Sequence, residues 1–495
     1  MSLQSPHVLR NLAIQSLLRD KALAMEAVEH LPGELYPPVF MEAFSRGHTE
    51  LLQAMVQSWP FPSLPLGDLM SMRDPDTLFT HQHPVRVEER MFHAVLDGLG
   101  VLLSHKPCSR SSKLQVLDLR VMNHNFWRVW GENNLEVCCS PGMRSRETEK
   151  MGPNEVKKKP IRVLVVLWLS QEWLCPLETY LLKWIQKRED LVQLHCTKLG
   201  IRAPCFRRLR KLLSRLSLEP VQELDVGHHW TIFALARFAP FLGQMRNLQR
   251  LTLSAIKVPA LITPKRREHL FSQITSQFGK LQCLQEIYMN SVQFLEGHLD
   301  QALRCLSYPL QTLSLTHCQL SQSDWNQLPH MEQIRKLKHF NLSCIKLSDF
   351  SPEPLRILLD HMAPTLTTLH LENCHITHAQ LQAILPSLLC CSQLNTFCFI
   401  RNYMSTGTMR NLLCHTARLS NLKQELYSVP QEFYVPRHGA HNQMREQVHQ
   451  DLEWIMRPLH HPRTVYFCTF HCELCCSQKF LKIHPNPCSA CIPIK

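Results

Sequence analysis

Four cysteines near the C-terminus have the spacing of a metal site. Cys472-Glu-Leu-Cys475 is followed, after twelve intervening residues, by Cys488-Ser-Ala-Cys491. Two such pairs can place four thiolates tetrahedrally around one zinc ion. Pro485, Pro487 and Pro493 suit the turns such a site needs. With 21 cysteines in the chain, three-residue spacings also arise by chance, and a metal-free capping tail is the competing reading. No other cofactor is expected.

Little else in the local motifs encodes chemistry. There is no His-Glu-x-x-His, no Gly-x-Ser-x-Gly and no kinase signature set. Glycine contributes only 15 of 495 residues, and neither glycine-rich phosphate-binding fingerprint occurs. A Cys–His pair that meets only in space has no local signature, so the sequence locates none. The chain is expected to bind rather than to catalyse.

The formal net charge is +13. The basic residues form small clusters, Lys157 to Lys159 and Arg207, Arg208, Arg210 and Lys211. No recognisable nucleic-acid module accompanies them, so they read as solvated faces. The opening Met-Ser-Leu-Gln-Ser-Pro lacks the pattern of a signal peptide. The most apolar run, Val163 to Leu169, is shorter than the ~20 residues that span a bilayer. The expectation is a cytoplasmic protein with reduced cysteines, with entry to the nucleus left open.

Helical signals fill the first hundred residues. Ser5-Pro6 reads as a helix start, and Leu9, Leu12, Ala13, Ser16 and Leu17 then share one face. Asp20 can cap a second helix from Lys21 to His30, stopped by Pro32. A further helix is expected over Thr49 to Ser58, ahead of Trp59-Pro60-Phe61-Pro62.

Beyond this region a repeat takes over. L-Q-T-L-S-L-T-H-C-Q-L begins at Leu310, L-K-H-F-N-L-S-C-I-K-L at Leu337, L-T-T-L-H-L-E-N-C-H-I at Leu366 and L-N-T-F-C-F-I-R-N-Y-M at Leu394. All fit L-x-x-L-x-L-x-x-N/C-x-L within conservative substitutions, the leucine-rich-repeat signature. Poorer copies start at Leu191, Val221, Leu248 and Leu284, and an early isolated one spans Leu114, Leu117 and Leu119. Each unit should be a strand, a turn and a helix, stacked because one unit cannot bury its own apolar face. Cys318, Cys374 and Asn402 sit where a small polar side chain can bond a neighbouring turn.

The expected fold is therefore α/β: a leucine-rich-repeat solenoid, a ribonuclease-inhibitor-like horseshoe, with a helical N-terminal cap. The divisions read as cap 1–100, early degenerate repeat 101–138, flexible insertion 139–160, repeat array 161–430 and C-terminal cap with Cys-rich tail 431–495. His438 to Glu453 reads as a polar surface segment leading into that cap. Substrate specificity on a concave sheet face would rest on the variable strand positions Thr312, Ser314, His339, Asn341, Thr368 and His370.

Several long blocks resemble the PRAME family, named for the preferentially expressed antigen in melanoma. They include S-P-H-V-L-R-N-L-A-I-Q-S-L-L-R-D-K-A-L-A-M, L-P-G-E-L-Y-P-P-V-F-M-E-A-F, A-M-V-Q-S-W-P-F-P-S-L-P-L-G and A-R-F-A-P-F-L-G-Q-M-R-N-L. The chain is similar to the rodent germline, oogenesin-like branch. The resemblance implies a substrate receptor for a cullin-2 ubiquitin ligase, with no active site of its own. Its implied partners are elongin C/B, cullin-2 and a protein substrate of unknown identity; the shortness of the apolar runs leads to no expectation of a membrane partner. It also implies a germline role in proliferation, differentiation, apoptosis or transcriptional repression. An elongin-binding box of the form L-x-x-x-A/C-x-x-x-apolar falls on Leu9, Ala13 and Leu17, and a cullin-box-like element on Tyr36, Pro37, Pro38 and Val39. Ala13 stands where cysteine is preferred, and Tyr36 where an aliphatic is typical. The alternative is a repeat scaffold or transcriptional corepressor without a ligase. The first forty residues discriminate, because a pure scaffold does not need them.

Overall fold

The computed structural model describes residues 6–71, 84–104, 112–122, 126–127, 160–169, 175–202, 206–214, 216–227, 229–433, 441–456, 463–469 and 480–484. The chain divides into two compact units. The first comprises Met1–Lys198 with Arg215–Ser217, and the second Leu199–Ser214 with Leu218–Lys495. The expected insertion at 139–160 lies outside the described residues except for Pro160.

In the first unit, α1 (Pro6–Leu17), α2 (Lys21–Ala27), α3 (Tyr36–Arg46), α4 (Thr49–Gln57), α5 (Leu66–Ser71) and α6 (Pro84–Ser104) precede α7 (Pro176–Gln186). Asp20 caps α2 as the sequence indicates, its carboxylate accepting from the amides of Ala22 and Leu23. Helices α4 and α6 approach so closely at Gly98 that an added Cβ would stand 2.6 Å from the Gln53 carbonyl oxygen. Aromatic side chains fill the centre. Phe40 stacks on Trp127 at 5.8 Å and meets the edge of Trp59 at 5.1 Å. Both indoles are paired, Trp127 donating to the Pro65 carbonyl and Trp59 to that of Ser63, so burial strands no donor. The early repeat forms β2 (Val116–Asp118), paired in parallel with β1 (Ser63–Pro65) and with β3 (Ile161–Leu169). After it, β4 (Val192–Ile201) follows next to β3 in the sheet order.

The second unit is a leucine-rich-repeat solenoid. Its strands are β5 (Glu223–Gly227), β6 (Arg250–Ser254), β7 (Glu286–Asn290), β8 (Thr312–Thr316), β9 (His339–Asn341), β10 (Thr368–His370), β11 (Thr396–Phe399), β12 (Gln424–Ser428) and β13 (Val465–Cys468). They pair in parallel in chain order, and β14 (Phe480–Ile483) closes the sheet antiparallel to β13. The register aligns the signature positions into rows: Leu224, Leu251, Ile287, Leu313, Phe340, Leu369 and Phe397 form one fully buried line. The returning segments are α8 (Phe206–Leu213), α9 (Ile232–Leu242), α10 (Pro264–Thr275), α11 (Leu299–Arg304), α12 (Gln322–Gln327), α13 (Glu353–Met362), α14 (His378–Cys390) and α15 (Thr406–Thr416). Not every unit returns through a full helix. Helices α11 and α12 are short, and Pro329 turns the end of α12 into a 3-10 segment, Leu328–His330.

Two devices leave each strand at a fixed angle. First, a non-glycine residue adopts the left-handed conformation just after each of six successive strands: Ala255, Ser291, His317, Cys344, Asn373 and Arg401, with φ between 52° and 62°. That conformation is uncommon for side-chain-bearing residues. Here the amides of Ala255, Ser291, His317, Cys344 and Asn373 each donate to a carbonyl of the next repeat at 2.8–3.2 Å. Second, the asparagine/cysteine position staples adjacent turns. The Asn402 side chain accepts from the amides of Cys374 and Ile376 and donates to the Leu371 carbonyl at 2.6 Å. Cys374 donates its thiol to the Leu342 carbonyl, and Cys318 to that of Met289.

The C-terminal region differs from the sequence expectation. The parallel ladder runs one strand beyond the point where the repeat pattern fades, because β13 adds to β12. The segment read as a polar surface stretch forms α16 (His441–Met456), whose last turn buries Leu452, Ile455 and Met456. The apolar spacing there is too short for a repeat signature yet enough to dock one helix end.

Candidate functional site

Two surfaces carry the residues singled out by sequence. The first is the exposed face of α1. This helix faces its own unit through Ile14 and Leu18, which are buried. Leu9, Leu12 and Ala13 point to solvent, Leu9 being 56% and Leu12 50% exposed, and Leu17 is half-buried. Leu9, Ala13 and Leu17 thus share a face that the fold leaves open. Leu23, on the next helix, is also half exposed.

The cullin-box-like residues stand elsewhere. Tyr36, Pro37, Pro38 and Val39 begin α3, and all four are buried. The Tyr36 hydroxyl donates to Ser58 Oγ at 2.8 Å, and its ring meets Trp59 edge-on at 6.1 Å. The two prolines are the second and third residues of the helix, within the first turn, where a missing N–H gives up no intrahelical bond. As folded, these side chains are core and present no docking surface. The aromatic residue at 36, read as a departure from an aliphatic, is what anchors them inside.

The second surface is the side of the repeat sheet away from the leucine rows. His339 is exposed there, and Asn341, Thr368 and His370 are partly so. Thr312 and Ser314, expected at the same surface, are buried instead. Short side chains on a sheet are covered by longer neighbours, and the register sets Ser314 opposite Tyr288. Burial pushes the His370 imidazole below its ordinary pKa, with Glu372 opposing and His339 reinforcing the shift. It is therefore a neutral hydrogen-bonding group at pH 7. Sequence reasoning overlooked the charged end of this face. Arg250 Nε donates to Glu286 at 2.7 Å, the Tyr288 hydroxyl donates to the same carboxylate at 3.1 Å, and Glu223 lies 3.8 Å from Arg250. Hydrogen bonding to Glu286 raises the Arg250 pKa further, fixing its charge. The poorer repeat copies at Leu248 and Leu284 already give the register from which these positions follow.

Cys472, Cys475, Cys488 and Cys491 lie outside the described residues. Among the described residues no cluster of three or more His, Cys, Asp or Glu could hold a metal ion. Also among them, no helix is long and apolar enough to cross a membrane.

Comparison with known proteins gives a consistent picture. The family model for the PRAME N-terminal domain matches residues 5–127, and that for the PRAME C-terminal domain matches 161–492. The chain is 43% identical to human PRAME family member 20 over 99% of its own length and 100% of the relative's. It is 42% identical to human PRAME family member 12, over 99% and 98%. Among solved structures it is similar to the leucine-rich-repeat-containing protein LegL7 from Legionella pneumophila, at 13% identity and TM-score 0.36, covering 62% of this chain and 90% of that one. An internalin from Listeria monocytogenes matches at 16% identity and TM-score 0.26, over 48% and 72%. With both domain models matched in order and relatives aligned end to end, the chain belongs to the PRAME family.

Proposed function

We propose that this protein is the substrate-recognition subunit of a cullin-2 RING ubiquitin ligase. The open apolar face of α1 carries the reading: Leu9, Ala13 and Leu17 lie on it, while Ile14 and Leu18 hold the helix to its unit. A leucine anchor beside a small residue is what a hydrophobic groove on a partner takes from a helix. Elongin C would occupy this face, with cullin-2 joining the elongin-bound complex. The repeat sheet would hold the substrate through His339, Asn341, Thr368, His370 and the Arg250–Glu286 pair. The chain would contribute position rather than chemistry, in the cytoplasm. Germline roles in proliferation, differentiation, apoptosis or transcriptional repression would then follow from which substrate it presents.

One observation favours a second reading. Tyr36, Pro37, Pro38 and Val39 are buried, and a cullin-box-like element without exposed side chains fits a repeat scaffold or corepressor that engages partners without a ligase. Affinity purification followed by mass spectrometry separates the two. Recovery of elongins B and C with cullin-2 supports the ligase subunit. Recovery of other partners with no elongin supports the scaffold.

A further inference from the structure

The positive charge of this protein is concentrated in one stretch. Between Leu199 and Thr275 the chain has thirteen Lys and Arg against four Asp and Glu, which accounts for most of its net charge of +13. Glu223 and Asp225 lie on strand β5 beside Arg250 on β6, and Glu268 lies on α10, while most of the cations sit on the helices and the loops at their starts. Helix α8 exposes Arg207, Arg208, Arg210 and Lys211 while burying Leu209, Leu212 and Leu213. Arg237 on α9 lies over the ring of Phe206, the first residue of α8, at 4.3 Å. Lys265 and Arg266 are exposed in the first turn of α10. None of Arg207, Arg208, Arg210, Lys211, Lys265 and Arg266 has an ion-pair partner among the described residues.

An apolar loop tip stands within this field. The segment Val258-Pro259-Ala260-Leu261-Ile262 joins β6 to α10, and Leu261 is 99% exposed. Its base is pinned on both sides. Lys257 exchanges backbone hydrogen bonds with Trp230 and Ile232 of the preceding repeat, and the Val258 amide donates to the Gln293 side chain of the following one. The Ile262 amide closes the turn on the Pro259 carbonyl at 3.2 Å. The leucine is thus held out on an ordered turn, where packing gives it no role and where polar residues are usual. Lys257 precedes the tip and Lys265 and Arg266 follow it.

We propose that this basic, Leu261-tipped side of the second unit docks on an anionic membrane surface. Clustered cations are attracted to a negatively charged leaflet, at about 1 kcal/mol each near the surface, and an apolar tip between them reaches the acyl boundary. An acidic protein partner fits less well, since leucine is a poor interface hot spot. A nucleic acid fits less well too, since it has no use for an aliphatic tip. The site is independent of the elongin-binding reading and requires no membrane-spanning segment.

Vesicle flotation of the full-length chain tests the proposal. It should bind vesicles of phosphatidylcholine mixed with phosphatidylserine at least about tenfold better than pure phosphatidylcholine, because the attraction is electrostatic. Binding should weaken as salt shortens the screening length from about 10 Å at 0.1 M to about 3 Å at 1 M. Leu261→Glu, and separately Lys265→Glu with Arg266→Glu, should each lower binding at least about tenfold with an unchanged melting curve, given the exposure of all three side chains. In Leu261→Trp, the new indole should be quenched by brominated acyl chains. Equal binding to both vesicle types, wild-type binding by these variants, or an unquenched indole would overturn the proposal. So would tight binding to RNA, DNA or polyglutamate with none to anionic vesicles.

Discussion

The Arg463 guanidinium donates, at 3.1 Å, to a Glu425 carboxylate whose side chain has no solvent exposure. Glu425 stands in register with Phe397 and Val465, in the row that elsewhere holds leucine, isoleucine, phenylalanine or valine. Arg463 also donates to the carbonyls of Leu419 and Thr416, and the Tyr427 hydroxyl donates to the second Glu425 oxygen at 2.8 Å. The segment leading into β13 is thereby clamped to the last repeat. Burial, then the Glu425 charge, holds the Tyr427 hydroxyl well above its ordinary pKa, so it stays a donor at any physiological pH.

Breaking this clamp from one side should be costly. Glu425→Ala leaves a guanidinium largely buried without its carboxylate, a loss of about 3–5 kcal/mol for a buried pair. Replacing both partners, Glu425→Leu with Arg463→Met, should recover most of it, because desolvation no longer has to be offset. Urea midpoints of the two variants decide the matter; equal losses in single and double variants would show that the pair is not a unit.

The repeat register has its own test. Leu342 and Leu369 are fully buried at inward signature positions. Leu342→Asp or Leu369→Asp puts an unpaired carboxylate among them, and the damage should spread through lost repeat interfaces. Circular dichroism should show loss of cooperative melting; a wild-type curve would mean the register is wrong.

The turn staple at Asn402 should be separable from packing. Asn402→Ala orphans the buried amides of Cys374 and Ile376, at about 1–3 kcal/mol for each unsatisfied group. A melting temperature within error of wild type would remove Asn402 from the account.

Thiol reactivity follows burial. Desolvation pushes the thiols of Cys196, Cys374 and Cys391 up to about 12, and that of Cys398 to about 11. At pH 8 these are protonated and poor nucleophiles, since the thiolate is the reactive form. Iodoacetamide should label exposed Cys390 and Cys414 in the native protein, and these four only after unfolding. Peptide mass spectrometry reads the order; early labelling of Cys374 would contradict its burial.

The repeat register was legible in the sequence because period, residue type and packing agree at Leu313, Leu369 and Phe397. Capping at Asp20 was legible for the same local reason. What the sequence hid depends on tertiary context. Tyr36-Pro37-Pro38-Val39 has the composition of an exposed docking element, and only its distance in space to Trp59 and Ser58 makes it core. Thr312 and Ser314 occupy surface positions by alternation, yet neighbouring strands cover them. Conversely, the open face of α1 reads like any amphipathic stripe. Which stripe faces inward was set by Ile14 and Leu18, one residue on from Ala13 and Leu17.

The central claim rests on that open face. Titration of purified elongin B–C against the full-length chain and its Leu9→Ala, Leu17→Ala double variant tests it directly. Each anchor contributes roughly 1.5–3 kcal/mol of apolar burial, so binding should weaken by about two to four decades at 1.4 kcal/mol per decade. The fold should survive with a modest loss of melting temperature, because Leu9 is exposed and Leu17 only half-buried. Undiminished elongin binding by a folded double variant would contradict the assignment of this helix face, as would a wild-type chain that does not bind elongin at all.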